Sequence, residues 1–253
     1  MTDRQLLQKL FTCIDHTTLT SVDNEASVEE FCRGALALGL PDGGHVAAVC
    51  VYPRFVAVAA RTLRGSGIGV ASVAGAFPHG QLPIGLKEEE VSRAVADGAD
   101  EVDIVINRGL LLEGKDDEAL SEVRAMRNCC KGKLLKVIVE TCDLPSPTLL
   151  SKATRIAIDG GADFVKTSTG KGAAGATLEA AEVMLQEVHR HRQQTGRTVG
   201  FKAAGGIRTP DEATAFARLA MFIMGDGYIH PSTFRIGASR LTESLREQIV
   251  QKR

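Results

Sequence analysis

Short apolar segments alternate with amphipathic segments along the whole chain. The apolar segments are rich in valine and isoleucine, as expected for strands that are buried on both faces of a parallel sheet. Between them, apolar positions recur with the spacing of helices that cover such a sheet. The pattern predicts eight strands, each followed by a helix, near residues 12–18, 46–52, 68–75, 101–107, 134–140, 163–168, 198–203 and 234–238.

Three of the predicted helices have recognisable start signals. The sequence SVEE at 27–30 matches a capping box, in which the first and last side chains each bond to the other's backbone. Ser146 is followed by Pro147, which suits the first position of a helix, and TPDE at 209–212 combines both signals. These three boundaries are therefore predicted more sharply than the others.

The number of strand and helix units predicts the fold class. Eight units in 253 residues fit an α/β protein with a single (β/α)8 TIM barrel domain over residues 1–253. A short amphipathic helix is predicted at the N-terminus, and no linker or low-complexity tract divides the chain. Because barrels of this type perform their chemistry at the carboxyl ends of the strands, polar residues there become candidates for the site.

The charge balance excludes several classes of partner. Lys and Arg total 30 and Asp and Glu total 31, so the chain lacks the basic field that recruits nucleic acid or anionic membranes. The interior of segment 64–87 is uncharged, but its prolines and glycines make it a poor membrane span. The predicted partner is a small molecule, and the predicted location is the cytoplasm because the N-terminus lacks a secretory signal.

The cysteines indicate neither a disulfide framework nor a metal site. None of them has paired CxxC spacing, and they are spread over a long chain, so they are interpreted as thiols. The six are Cys13, Cys32, Cys50, Cys129, Cys130 and Cys142.

A glycine pattern after the sixth strand raises the alternative of a nicotinamide oxidoreductase. Gly170, Gly172 and Gly175 have the spacing of a dinucleotide-binding turn. That use requires an acid at the end of the next strand to bind a ribose hydroxyl, and residues 188–210 contain no Asp or Glu. The glycines are therefore interpreted as a loop that accommodates phosphate, and no cofactor is predicted.

Two lysines in neighbouring predicted strands indicate Schiff-base chemistry. Lys166 and Lys202 are one strand-helix unit apart, so both can face the barrel interior. A second ammonium about 4 Å away would lower an amine's pKa and give it the neutral form that attacks a carbonyl. Asp103, inside an apolar strand, is either a salt-bridge partner of a lysine or a proton-transfer group.

Small residues at the ends of the last two strands indicate a phosphate site. Gly205, Gly206, Gly237 and Ser239 each lie just before a predicted helix, where backbone N–H groups bind phosphate. Lys171 would add positive charge. Ordinary tight turns would also explain the glycines, but two such loops on adjacent strands favour phosphate.

With these residues assembled, the chain resembles the deoxyribose-phosphate aldolase family, which are class I aldolases with a (β/α)8 barrel. The resemblance runs nearly end to end, and the two lysine motifs are its most specific part. It is carried by DHTTL (15–19), VCVYP (49–53), EVDIVIN (101–107), KVIVETC (136–142), DFVKTSTGK (163–171), VGFKAAGGIRT (199–209) and RIGAS (235–239).

The resemblance implies a role for each matching residue. Lys166 would form the Schiff base, Lys202 would perturb its pKa and Asp103 would join a proton relay. Asp15 would hold Lys202. The substrate pocket would include Cys50 and Thr169, with phosphate against Gly170, Lys171, Gly205, Gly206, Gly237 and Ser239.

The resemblance also implies the reaction. It would be the reversible cleavage of 2-deoxy-D-ribose 5-phosphate to D-glyceraldehyde 3-phosphate and acetaldehyde, in deoxynucleoside catabolism, without metal or other cofactor. The partner would be a phosphosugar, and a homodimer is common in the family.

The chain departs from the family pattern at three places. Ala203 stands where many members have proline, and Arg240 follows Ser239 where some have a second serine. Some members end in a tyrosine that assists proton transfer, whereas this chain ends in VQKR. These departures bear on rate more than on the type of reaction.

Two other hypotheses stay open from the residues alone. A barrel that only binds a phosphosugar, or serves as a scaffold, would be expected to have lost one of the lysines, and both are present. A different Schiff-base aldolase is also compatible, because two lysines and a phosphate loop do not define the aldehyde donor. Specificity for acetaldehyde follows from the resemblance only.

Overall fold

The chain forms a closed barrel of eight parallel strands. The structure is a computed structural model, and it describes residues 2–41 and 43–251. The strands pair in sequence order, and the last closes the barrel against the first. They are β1 (Ile14–Thr17), β2 (Ala48–Val51), β3 (Gly69–Ala74), β4 (Glu101–Val105), β5 (Leu134–Ile138), β6 (Phe164–Lys166), β7 (Gly200–Ala204) and β8 (Phe234–Ala238).

Helices surround the barrel and connect successive strands. An N-terminal helix precedes β1, and short helical turns follow β2 and β5. The α-helices are α1 (Asp3–Thr12), α2 (Glu25–Ala37), α3 (Val56–Thr62), α4 (Ile84–Ala96), α5 (Arg108–Leu112), α6 (Asp116–Cys129), α7 (Pro147–Asp159), α8 (Leu178–Thr195), α9 (Pro210–Met224) and α10 (Leu241–Gln251). The predicted (β/α)8 barrel with a short N-terminal helix is confirmed.

Two of the three predicted helix starts are correct. Ser146 caps α7 with Pro147 at its first position, and Thr209 forms a capping box with Glu212 at the start of α9. The third prediction is wrong, because α2 begins earlier and Asn24 is its cap. Ser27 is the third helical residue instead, where its hydroxyl accepts the Asn24 N–H.

The outer faces of the strands pack against the helices to form a continuous apolar core. Val49, Val102 and Val165 are fully buried there. His16 belongs to this outer layer, where its ring stacks on Phe31 at 4.1 Å and its Nδ1 lies 2.9 Å from the Thr242 hydroxyl. Burial lowers the pKa of His16 to about 4. These contacts give His16 a structural role in the outer layer.

Strand register places the predicted chemistry on one side of the barrel interior. Lys166 pairs with Lys202 across β6 and β7, and Lys202 pairs with Arg235 on β8. Across β4 and β5, Asp103 pairs with Lys136. Because paired positions on neighbouring strands point to the same face, these side chains converge inside the barrel.

Two further observations concern membrane-spanning helices and metal-binding groups among the described residues. In the described part of the chain, no helix is both long and apolar enough to cross a membrane. Within 2–41 and 43–251, no group of three or more His, Cys, Asp or Glu side chains is arranged to hold a metal ion.

Candidate active site

Asp103 is the hub of an ion cluster inside the barrel. One carboxylate oxygen, Oδ1, accepts from Lys136 Nζ at 2.7 Å. The other, Oδ2, accepts from Lys166 Nζ at 2.8 Å and from Lys202 Nζ at 2.7 Å. Asp103 is fully buried, and each lysine is at least 97% buried. Three strands besides β4 therefore direct an amine at a single carboxylate.

A second carboxylate, Asp15, ties the cluster to the first and last strands. It accepts hydrogen bonds from Lys202 and from the Arg235 guanidinium, and it lies 3.5 Å from Lys136 Nζ. Glu101 completes the cluster, with hydrogen bonds from Arg235 at 2.7 and 3.1 Å and an ion pair with Lys136. The expected contact between Asp15 and Lys202 is therefore present.

The two predicted lysines are perturbed in opposite directions. Burial lowers the pKa of Lys166; Asp103 partly offsets this effect, and nearby Lys202 lowers the pKa further. Burial also lowers the pKa of Lys202, but Asp103 and Asp15 together outweigh it, so the net shift is upward. Lys166 is thus the better source of a neutral amine, and Lys202 stays an ammonium.

This result corrects the cause expected from the sequence. Repulsion from Lys202 was expected to be the main reason for a lowered Lys166 pKa. Burial is the larger cause, and Asp103, whose Oδ2 accepts from both ammonium groups, offsets part of it. Lys202 contributes in the expected direction but is not dominant.

The carboxylates are held in the ionised form. Burial raises the pKa of Asp103, but Lys136, Lys166 and Lys202 outweigh it and keep the pKa well below its usual range. For Asp15, burial also acts upward, and Lys202, Lys136 and Arg235 together lower the pKa. Asp103 is thus an ionised salt-bridge partner of Lys166.

A cleft of about 360 Å³ opens above the cluster at the carboxyl ends of the strands. Lys166 lies in its wall and is the one member of the ion cluster that reaches it. Seven predicted residues line the same cleft with Lys166 or complete its rim: Thr169, Gly170, Lys171, Gly205, Gly206, Gly237 and Ser239. The volume is in the range usual for small-molecule sites.

Two residues that the resemblance assigns to the site, Asp15 and Cys50, do not line the cleft. Asp15 is fully buried below the cleft, in contact with Lys202 and Arg235. Cys50 is also fully buried and packs in a small apolar cluster with Leu19 and Ala71, inside the barrel near β2 and β3. Burial raises the pKa of its thiol to about 11. Cys50 therefore does not take the place in the pocket wall that the resemblance implies, whereas Asp15 has the contact with Lys202 that is implied for it.

Hydrogen bonds fix the loop that follows β6. Glu140, at the end of β5, accepts from both the backbone N–H and the hydroxyl of Thr169. The Thr169 hydroxyl in turn accepts the Lys171 N–H at 3.0 Å. The Lys171 ammonium crosses to the loop after β1 and donates to the Leu19 carbonyl at 2.6 Å. This places a cation at the mouth of the cleft.

The glycine pattern is explained by close contact between two loops. A β-carbon on Gly175 would lie 2.1 Å from the Gly205 carbonyl oxygen, and the Ala176 N–H donates to that same oxygen at 3.0 Å. Gly205 itself has a φ of +90°, which favours glycine. The glycines thus let the loop after β6 pack directly on the loop after β7.

We expect Gly175→Ala to destabilise the protein by about 1–3 kcal/mol, because the added methyl group meets backbone atoms that must move. Gly34→Ala is the matched control. Gly34 lies within α2 with nothing close to a new β-carbon, so alanine there should stabilise by about 0.5–1 kcal/mol. Urea unfolding measures both changes, and equal stability of wild type and Gly175→Ala would contradict the steric argument.

Sequence reasoning missed several residues of the site. Lys136, Glu101 and Arg235 belong to the ion cluster, and Arg208 lines the cleft. Each of the first three is a charged residue in an apolar strand, the same signal that identified Asp103. They were overlooked because only the late positions of the strands were considered as candidates.

Comparison with known proteins agrees with this architecture. Residues 9–239 match a family described as DeoC/LacD family aldolase. The human deoxyribose-phosphate aldolase is 41% identical over 96% of this chain and 80% of its own length. The resemblance found from the sequence motifs is therefore confirmed.

Solved structures give the same result. An aldolase named QR15 superposes with a TM-score of 0.78 at 30% identity, covering 96% of each chain. The deoxyribose phosphate aldolase of Aeropyrum pernix, described as a unique tetramer, superposes with a TM-score of 0.76 at 26% identity over the full length of both. With residues 9–239 matched and a lysine-lined cleft in the expected barrel, this chain belongs to the DeoC/LacD family of aldolases.

Proposed function

We propose that the protein reversibly cleaves 2-deoxy-D-ribose 5-phosphate to D-glyceraldehyde 3-phosphate and acetaldehyde through a Schiff base on Lys166. The observation that carries the proposal is the position of Lys166, a buried amine with a lowered pKa in the wall of a small-molecule cleft. The similarity to the human enzyme supports the choice of substrate.

The first stage joins substrate and enzyme. The neutral Lys166 amine attacks the C1 aldehyde of the open-chain sugar, and the resulting carbinolamine loses water to form an iminium ion. Asp103, bonded to both Lys166 and Lys202, accepts and returns protons in this stage through water. Lys202 keeps the carboxylate oriented and remains charged.

The second stage breaks the C2–C3 bond. The C3 hydroxyl gives up its proton, through water, to the Asp103 carboxylate as C3 becomes the aldehyde of glyceraldehyde 3-phosphate. The electrons of the broken bond pass to C2 and form an enamine. Asp103 then returns this proton, through water, to C2, which regenerates an iminium ion. Water then hydrolyses it, which releases acetaldehyde and free Lys166.

The rim of the cleft suits the phosphate. Gly205 and Gly206 lie between β7 and α9, Gly237 and Ser239 lie shortly before α10, and all four line the cleft. Backbone N–H groups ahead of helix starts would bind the phosphate there. Lys171 supplies positive charge there, and Arg208, which lines the same end, supplies more. The phosphate would thus lie at the ends of β7 and β8, beside the strand that carries Lys166, and hold the sugar for attack at C1.

The remaining parts of the proposal concern context. The protein would work in the cytoplasm in deoxynucleoside catabolism, as a single-domain enzyme with no metal or cofactor requirement. Assembly as a homodimer is the expected form, and sedimentation would measure it directly.

Reductive trapping tests the chemistry. Protein would be incubated with 2-deoxyribose 5-phosphate or acetaldehyde and borohydride, and the adduct located by intact mass and peptide mapping. We expect one adduct, at Lys166, that is absent from Lys166→Met and retained in Lys133→Met, a partly exposed surface lysine. Folded wild-type protein that gives no adduct with either carbonyl would exclude the Schiff-base proposal and favour a binding protein.

A further inference from the structure

Seven ionisable side chains form one connected cluster inside the barrel. Four are basic and three are acidic: Lys136, Lys166, Lys202 and Arg235 against Asp15, Glu101 and Asp103. If all seven are ionised, the cluster has an excess of one positive charge. An uncompensated charge in a buried site is costly, so loss of one proton from the cluster is favoured.

The number of carboxylate partners decides which group loses that proton. Lys136 contacts three carboxylates, Asp15, Glu101 and Asp103. Lys202 contacts two of them, and Lys166 contacts Asp103 alone. Because each carboxylate stabilises the ammonium form, Lys166 is the lysine that is most readily deprotonated.

We propose that Lys136 is a positioning residue that makes Lys166 the neutral amine of the cluster, by supplying the excess positive charge and by occupying Asp103 Oδ1. The inference rests on the proposed role of Lys166 as the Schiff-base lysine. Lys136 is fully buried and does not reach the cleft, so it acts through Asp103 and not on the substrate.

The other charged groups near Lys166 do not replace this role. Lys202 on β7 shares Asp103 Oδ2 with Lys166, while Asp15 on β1 and Arg235 on β8 neutralise one another lower in the barrel. The Cys50 thiol on β2 also faces the cluster, and burial keeps its pKa near 11, so it stays neutral. At the end of β5, Glu140 is engaged by Thr169.

Charge counting predicts opposite effects for two buried variants. In Lys136→Met the charges balance with Lys166 protonated, so Lys166 should hold its proton to higher pH. In Glu101→Gln the excess positive charge grows by one, so Lys166 should lose its proton at lower pH. The rate of Schiff-base formation at Lys166 should rise with pH as the amine loses its proton. We expect the midpoint of this rise, the acid limb of the pH profile, to shift to higher pH by about one unit in Lys136→Met and to lower pH in Glu101→Gln.

The double variant Lys136→Met/Glu101→Gln separates charge from packing. It restores the excess of one positive charge, with three basic and two acidic side chains. Its acid limb should return toward the wild-type position although both packing changes are present. If Lys136 had a purely structural role, its replacement would not move the acid limb in the direction set by charge. The double variant would then not return toward the wild-type position.

The experiment measures the initial rate of adduct formation at Lys166 with acetaldehyde and cyanoborohydride between pH 5 and pH 10, by mass spectrometry, for the four proteins. An absent wild-type adduct would refute the proposed function. With a normal wild-type adduct, limbs that coincide or move in the same direction would overturn the role of Lys136. Should Lys136→Met not fold, Lys136→Gln, which also removes the charge but keeps a polar side chain, replaces it in the comparison. Glu113→Gln, at a surface acid, is the control for loss of an acid and should leave the limb in place.

Discussion

Replacing Lys166 with methionine is expected to lower turnover of 2-deoxyribose 5-phosphate by at least about 10⁴-fold while leaving the fold intact. Methionine has a similar length and no amine, so the Schiff base cannot form. Release of glyceraldehyde 3-phosphate in a coupled assay measures the loss. Lys133→Met, which removes a partly exposed lysine paired with Asp100, should keep normal activity.

Lys166→Met is expected to be as stable as the wild type or more stable. Lys166 is almost fully buried, and its removal leaves three basic and three acidic groups in the cluster. Urea unfolding would show an unchanged or higher midpoint, as is common when a group retained for function is removed. For turnover, a folded Lys166→Met that keeps more than about 1% of wild-type activity would contradict the assignment of Lys166 as the nucleophile.

Replacing Asp103 with asparagine is expected to have the largest combined effect on stability and activity. Three lysines lose the carboxylate that they share, and the cluster retains four basic but only two acidic groups. Loss of one partner from such a buried site costs about 3–5 kcal/mol. Loss of the proton relay should lower turnover by about 10²–10⁴-fold, measured at a temperature where the variant remains folded.

Adduct formation distinguishes the relay from the nucleophile. Asp103 raises the pKa of Lys166, so its removal favours the neutral amine, and trapping with acetaldehyde should persist in Asp103→Asn. Folded Asp103→Asn that forms no adduct would show instead that the carboxylate is needed for attack itself. Glu113→Gln, at an exposed ion pair with Lys115, serves as the control for loss of an acid.

The fold could be predicted because most strands are rich in apolar residues and alternate with amphipathic helices, as in a sheet covered on both faces. Lys166, Lys202 and Asp103 could be predicted for the opposite reason, since each interrupts such a pattern with a charge. The hydrogen bonds from Lys166 and Lys202 to Asp103, which affect the pKa values of both lysines, could not be predicted. Whether Asp103 lies between the lysines or beside them depends on the register of β4 and β6, which are not neighbours in the sheet.

The errors also have physical causes. Asn24 and Ser27 are both acceptable helix caps, three residues apart, and the sequence does not distinguish which one starts α2. The resemblance places Cys50 in the pocket, but the structure packs it in a small apolar cluster with Leu19 and Ala71. How far a side chain lies from the open end of the barrel depends on the arrangement of all the strands, so it cannot be predicted from the neighbouring residues in the sequence.

The backbone contact between Gly175 and Gly205 has a consequence for how substrate range can change. The loop that follows the nucleophile and the loop proposed to receive the phosphate share a surface with no side chain between them. Any substitution that reshapes one loop must therefore be matched in the other. Phosphate binding and formation of the covalent intermediate would therefore change together. Variation in substrate range is expected to arise first in loops that lie outside this contact.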